Sequence, residues 1–320
     1  VRTDAAVEIR GVTKTFGAVS AVERLDLTIP RGGLYGFIGP NGAGKTTTIR
    51  MIMSILLPDA GELRVLGRAS ALQAKDRIGY LPEERGLYRK MKVAAYLEFI
   101  ARLKGMPERG LRARVHDAIA RVGLAGVEGK RCEELSKGMS QKIQFLAAAI
   151  HEPDLLILDE PFSGLDPVST RMLREQILAE HRRGATVLFS THVMPQAEEI
   201  CDHVVMIHRG RKVLDDPVGA ILRPHDGRVL KFEPLDGFAD VDVVRALPEV
   251  ARCSAADRGY EVELRAGVDA ARAMQRVVAA LPVLSIELKR PSLEDVFVGI
   301  VEGEASSAGD ASPRARTVAA

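Results

Sequence analysis

The sequence predicts an α/β fold on a mainly parallel sheet, followed by a smaller C-terminal α+β unit, and three stretches carry that prediction. The apolar run Leu34–Ile38 leads into Gly-Pro-Asn-Gly-Ala-Gly-Lys-Thr-Thr at 39–47 and then into a helix-compatible run, Thr46–Leu57. Strand, glycine loop and helix in that order make one β-loop-α unit. Leu155-Leu156-Ile157-Leu158 is an unbroken run of large apolar residues, as in a strand buried on both faces of a parallel sheet. From Asp226 onward the pattern changes to strands and helices in βαββαβ order.

Taken in order, Val7–Val12 and Leu25–Ile29 alternate apolar and polar residues and are expected to be strands of a small antiparallel sheet. Lys14–Gly17 between them reads as a loop carrying Phe16, whose ring suits either stacking on a purine or anchoring the loop. The 39–47 stretch fits G-x-x-x-x-G-K-[ST]. Gly39, Gly42 and Gly44 let consecutive N–H groups turn inward, with Asn41 and Ala43 between them, and the helix start adds to that field. Such a pocket takes phosphate oxygens. Lys45 brings a positive charge to them, Thr46 a hard oxygen ligand for Mg2+, and Thr47 completes the loop.

Pro58–Gly61 is a turn and Gly61–Gly67 a strand, while Ile78–Leu81 runs into the charged loop Pro82–Gly86, which contains Glu83. Val93–Lys104 and Arg112–Val122 have helical spacing and begin a helical insertion over about 90–152. Leu135–Lys142 opens a further helix. There Ser136 and Gly138 offer a hydroxyl and open N–H groups to an anion, or simply cap the helix. Asp159 and Glu160 close the buried strand at its carboxyl end, either as its solvated end or, given the glycine loop, with Asp159 to hold Mg2+ and Glu160 to act as general base on a water. Ser163–Pro167 is a turn, with Asp166 in it, into the helix Val168–Arg183; Ala185–Ser190 is a strand ending at Thr191-His192. An isolated histidine suits packing or the surface, but a neutral His192 at this strand end could instead bond a γ-phosphate oxygen. Val204–Ile207 and Arg211–Leu214 read as a hairpin.

The C-terminal unit, 226–302, reads as strands Val229–Glu233, Ala251–Ala255, Tyr260–Arg265 and Leu284–Lys289, with helices Asp240–Ala246 and Val268–Ala280 and a last helix near Leu293–Val301. That order is ferredoxin-like. Residues 303–320 are rich in Ala, Ser and Gly and are expected to be disordered.

Composition removes other classes. The net charge is +2 with no run of five basic residues, so nucleic acid is not an expected partner. The three cysteines, Cys132, Cys201 and Cys253, lack metal-ligand spacing and suit packing in a reducing compartment. No apolar run approaches the ~18 residues of a membrane span, so a cytoplasmic location is expected, with any membrane role exercised through a partner.

Phe16, Gly39–Thr47, Glu83, Leu135–Met139, Leu155–Glu160, Ser163–Asp166 and His192 together resemble, in order and spacing, the nucleotide-binding subunit of an ABC transporter. The resemblance covers about residues 5–222 and implies a P-loop ABC ATPase with antiparallel β and helical subdomains, using ATP and Mg2+. Phe16 matches the adenine-stacking position, Ser136 and Gly138 the signature, Asp166 the D-loop and His192 the switch histidine. It further implies a second ATP-binding subunit, identical or related, whose signature closes each site, and a separate transmembrane permease that this subunit serves from the inner face of the membrane. Two departures stand out: Glu83 replaces the usual glutamine, and Leu-Ser-Lys-Gly-Met replaces Leu-Ser-Gly-Gly-Gln. These, with Pro82–Tyr88 and Leu293–Phe297, are similar to the ABC-2 exporter branch of sodium and drug efflux systems. The alternatives are a soluble ABC-type ATPase acting on nucleic acid or ribosomes, and a phosphotransferase using the same loop.

Overall fold

The computed structural model describes residues 5–84, 86–222, 229–235, 240–256, 259–289 and 292–309. In chain order the first part runs β1 (Ala5–Phe16), β2 (Val19–Pro30), β3 (Leu34–Ile38), α1 (Lys45–Ile52), β4 (Ala60–Val65), β5 (Ile78–Leu81), α2 (Val93–Leu103), α3 (Leu111–Arg121), α4 (Lys137–Ala149), β6 (Leu155–Asp159), α5 (Pro167–Arg182), β7 (Thr186–Thr191), α6 (Met194–Ile200), β8 (His203–His208), β9 (Arg211–Pro217) and α7 (Val218–Ile221). No described helix is long and apolar enough to cross a membrane.

Two sheets divide the work. Strands β2, β1 and β4 form an antiparallel sheet in that order. Lys14–Phe16, expected in a loop, instead continue β1, and Phe16 pairs with Val19. The cause lies far along the chain: Asp59 accepts from Lys14 Nζ and from the Thr15 amide, each at 2.7 Å, and so ties the strand end down. The second sheet has the order β5-β6-β7-β3-β8-β9, with β5 to β8 parallel to one another and β9 antiparallel at the edge. Every residue of β6 and β7 is buried, as the apolar runs demand. Each such Leu or Ile withdrawn from water contributes about 1.5–3 kcal/mol.

An apolar core joins the sheets: Ile9, Val12, Leu25 and Leu27 from the antiparallel sheet meet Phe37, Leu155, Leu188 and Val205 across Ile49 and Ile52 of α1. α1 stops at Ile52 rather than at Leu57, because Ser54 takes a left-handed φ of 55° and the chain turns away. On the other side, α2, α3 and α4 pack on one another, and α4, buried from Ser140 to Ala149, also lies along β5.

The chain folds as two compact units, Val1–Val218 and Gly219–Ala320; the boundary read at Asp226 lies outside the described residues. The second unit holds β10 (Val229–Pro234), α8 (Asp242–Arg245), β11 (Val250–Ala255), β12 (Tyr260–Leu264), α9 (Ala270–Ala280), β13 (Val283–Leu288) and α10 (Leu293–Gly309). Its sheet is antiparallel throughout in the order β11-β12-β10-β13, with Leu230, Phe232, Val262, Val244 and Val277 in the core. This is the ferredoxin-like arrangement. The stretch expected to be disordered from Gly303 is helical through Gly309, since a helix begun at Leu293 propagates more readily than one must nucleate. Residues 310–320 lie outside the described ones.

Candidate active site

β3 ends at Ile38 and the chain then doubles back beneath α1. At Gly39 (φ 150°) a Cβ would lie 2.1 Å from the Ile207 carbonyl oxygen; at Gly44 (φ 107°), which caps α1, it would lie 2.4 Å from that of Ala21. No other residue type lets the loop pass this close to β8 and β2. Lys45 opens α1 and is buried, and its Nζ donates to the Gly39 carbonyl at 2.7 Å and the Pro40 carbonyl at 3.1 Å. Burial lowers its pKa, and the carboxylates of Glu160, Asp159 and Glu83 oppose that shift.

Sheet order supplies the other half of the site. β7 lies between β6 and β3, with Asp159 opposite Ser190 on one side and Ile38 opposite Thr191 on the other. Ser190-Thr191-His192 therefore bridges the glycine loop and the two carboxylates. Asp159 is fully buried, and among the described residues neither of its oxygens has a hydrogen-bond partner; the Ser190 hydroxyl is likewise unpartnered there. Burial raises the Asp159 pKa, and the Glu83 and Glu160 charges add to the rise. The nearby Ser190 and Thr46 hydroxyls pull it down without completing a bond of normal geometry.

Glu160 takes a left-handed φ of 49°, a strained conformation for a residue with a side chain, and its N–H donates to the Ser190 carbonyl at 3.0 Å. The turn aims its carboxylate back over β7. Oε1 accepts from the His192 amide at 2.8 Å and meets His192 Nδ1 at 2.7 Å; Oε2 accepts from Thr191 Oγ1 at 3.3 Å.

A cleft of about 330 Å3 opens here, lined by Ala21, Asn41, Gly42, Ala43, Gly44, Lys45, Thr46, Thr47, Glu83 and Glu160. The residues fit a Mg2+ ion: Asp159 has two hard oxygens with no partner, and the Thr46 hydroxyl lies beside them. No three His, Cys, Asp or Glu side chains among the described residues form a metal cage by themselves. The donor set is thus one that phosphate oxygens and water would complete, as is usual for Mg2+.

Phe16, Ser136, Gly138 and Asp166 do not line this cleft. Phe16 stands at the tip of the β1–β2 hairpin, 48% exposed, with Lys14 Nζ 5.6 Å from its ring centre. Ser136 is the exposed N-cap of α4, accepting from the Met139 amide at 3.3 Å. A Cβ on Gly138 would only touch Leu165 at 3.5 Å, so nothing within the subunit requires glycine there. Asp166 caps α5 by accepting from the Val168 and Ser169 amides, both at 3.0 Å; bonds from Ser169 lower its pKa. His192, expected to face a phosphate, is held on Glu160.

Sequence reasoning missed Thr191 and Ser190, which hold or face the two carboxylates, and Tyr80, whose phenol is pushed up to about 12 by burial and the Asp159 charge. The hydroxyl pair beside His192 at a strand end was the available signal for the first two. For Tyr80 there was none.

Comparison with known proteins agrees with this geometry. A family model described as ABC transporter matches residues 22–163, and one described as ATP-binding protein DrrA1-3-like, C-terminal domain, matches 220–301. The uncharacterised ABC transporter ATP-binding protein YhaQ of Bacillus subtilis (strain 168) is 39% identical over 291 residues, 90% of this chain and 95% of that protein. The Nod factor export ATP-binding protein I of Rhizobium sp. (strain N33) is 32% identical over 303 residues, 93% and 98% of the two chains. A solved structure of an ATP-binding subunit of an ABC transporter aligns with TM-score 0.64 and 31% identity over 68% of this chain and 92% of its own. The glycine loop under α1, the carboxylates at the end of β6 and these relatives lead to one conclusion: the chain belongs to the ATP-binding proteins of ABC transporters, ATPases that power a separate membrane permease.

Proposed function

We propose that this chain supplies the hydrolytic half of an exporter, working as a pair of ATP-binding subunits on the inner face of a membrane. ATP lies with its phosphates along the 39–47 loop. There the loop amides and the start of α1 face them, and Lys45 exchanges its two loop carbonyls for phosphate oxygens, a stronger, charge-assisted contact. Thr46 and Asp159 would hold Mg2+, with Glu83 at the margin, and the bound ion would neutralise charge on the phosphates. Glu160 takes the proton of the attacking water, its carboxylate oriented by His192 and Thr191, and His192 bonds the γ-phosphate. Phe16 packs on the adenine.

One observation carries this reading: a strained, nearly buried Glu160 lines the same cleft as Lys45 and Thr46. Exposed Ser136 and half-buried Gly138, outside that cleft, suit contact with nucleotide held by a second subunit, with Asp166 at the same interface. ATP then joins two subunits and its hydrolysis parts them, and that difference in affinity does work on the permease. The export direction rests on relatives such as the Nod factor export protein.

The test is Glu160→Gln. ATP binding should persist, with an ATP-dependent dimer that outlives the wild-type one. Hydrolysis should fall by on the order of 10²-fold or more, the usual worth of a general base. Hydrolysis at the wild-type rate would remove Glu160 from the mechanism.

A further inference from the structure

Building on that reading, we infer that Glu83 makes nucleotide entry conditional on a divalent cation, so that the site accepts metal-complexed triphosphate and turns away the metal-free form. The inference starts from charge. Glu83 and Glu160 line the cleft and Asp159 stands beside it, so three carboxylates face the ammonium of Lys45. Lys45 already lies within their combined field, and Glu160 is bonded by His192.

Among the described residues Glu83 has no such satisfaction. Its residue is exposed, and among the described residues it forms no ion pair or hydrogen bond. Nor is its place arbitrary: it follows the end of β5, where Leu81 is fully buried, and the next residue is tied down by Gln144 of α4, whose Nε2 donates to the Glu84 carbonyl at 3.4 Å. A glutamine here would present an amide able to donate to a phosphate oxygen; a carboxylate can only accept, and repels it. Asp159 is the second, independent observation. Fully buried and with both oxygens unpartnered, it marks a place where a cation is wanted.

A bare triphosphate would therefore bring about four more negative charges to a cleft that already has an excess of them. With a divalent cation held by Asp159 and Thr46, Glu83 would change from an obstacle into an attraction. This role is one of specificity. It separates two forms of the same nucleotide, and does not add a group to the hydrolytic step.

The experiment is calorimetric titration of the full chain with ATP, in EDTA and in MgCl2, for the wild type, Glu83→Gln and Glu83→Asp. Wild type and Glu83→Asp should bind ATP in MgCl2 and bind it far more weakly in EDTA. In Glu83→Gln the metal-free Kd should tighten by roughly tenfold, the size expected for removing one partly screened charge. A metal-free Kd that is unchanged or weaker in Glu83→Gln, with ATP still bound in MgCl2, overturns this inference alone. Weaker binding in MgCl2 alone would make Glu83 merely a ligand of the ion and overturn it equally. Failure of the wild type to bind ATP in either buffer would bring down the proposed function with it.

Discussion

Asp159→Asn should stabilise the metal-free protein while abolishing its stabilisation by Mg2+ and ATP. The side chain keeps its shape and loses its charge. In the wild type that charge is fully buried, its oxygens have no partner, and its neighbours Glu83 and Glu160 carry the same sign. An uncompensated buried carboxylate costs several kcal/mol. An amide left unpaired in its place costs about 1–3 kcal/mol, but its NH2 has an acceptor at hand in the unpartnered Ser190 hydroxyl. The balance is a gain of about 1–2 kcal/mol, or roughly 2–6 °C in Tm for a domain of this size. Calorimetric melts in EDTA measure it directly.

A pH series checks the cause. Because burial raises the Asp159 pKa above its value in the unfolded chain, the native state binds the extra proton between those two values. Wild-type stability from this group therefore rises as pH falls through the raised pKa, and the asparagine variant lacks that rise. A variant that melts at or below the wild type in EDTA, with unchanged pH dependence, would show that the buried charge is compensated in a way this geometry does not reveal.

Two glycines of one loop should behave differently when replaced by alanine. Gly39→Ala drives a methyl into the Ile207 carbonyl, 2.1 Å away, and should prevent folding of the loop against β8, seen as a loss on the order of 3 kcal/mol or more and a Tm fall of about 10 °C. Gly42→Ala meets nothing within 4 Å and carries only the left-handed φ of 78°, about 1–2 kcal/mol, so it should fold. His151 predicts acid sensitivity. Burial and the charges of Lys104 and Arg183 push its pKa to about 4 from 6.5, so the unfolded chain takes up a proton that the native state refuses. Between pH 7 and pH 5 this should cost about 2 kcal/mol in urea denaturation, and His151→Gln should be spared that loss.

What local sequence shows is the half of the site made by consecutive residues. The glycine loop has its fixed spacing, and Leu155–Asp159 declares a buried strand ending in acid. What it hides depends on neighbours in space. That β7 lies between β6 and β3 is a fact of sheet order, and only this brings Thr191 and His192 onto Glu160. The extension of β1 to Phe16 depends on Asp59, far along the chain, and α6 is seven residues with a proline inside, too short to establish a period. Ser136 and Gly138 leave a cap and an anion contact equally open on local sequence, because the second use needs a surface outside this subunit's own cleft.

The three charged groups at the centre differ in how far the fold itself satisfies them, and that ordering says where binding energy enters. Lys45 has two carbonyls, Glu160 has His192 and Thr191, and Asp159 has nothing. For Lys45 and Glu160, ligand contacts replace bonds already made, so the net gain is modest. For Asp159 a cation relieves a penalty with no bond to give up first. Binding should therefore stabilise this domain by more than the phosphate contacts alone supply, and the excess should disappear with the Asp159 charge. A site arranged this way is least comfortable before its ligand arrives, which is the condition under which binding a nucleotide can drive a change of state elsewhere.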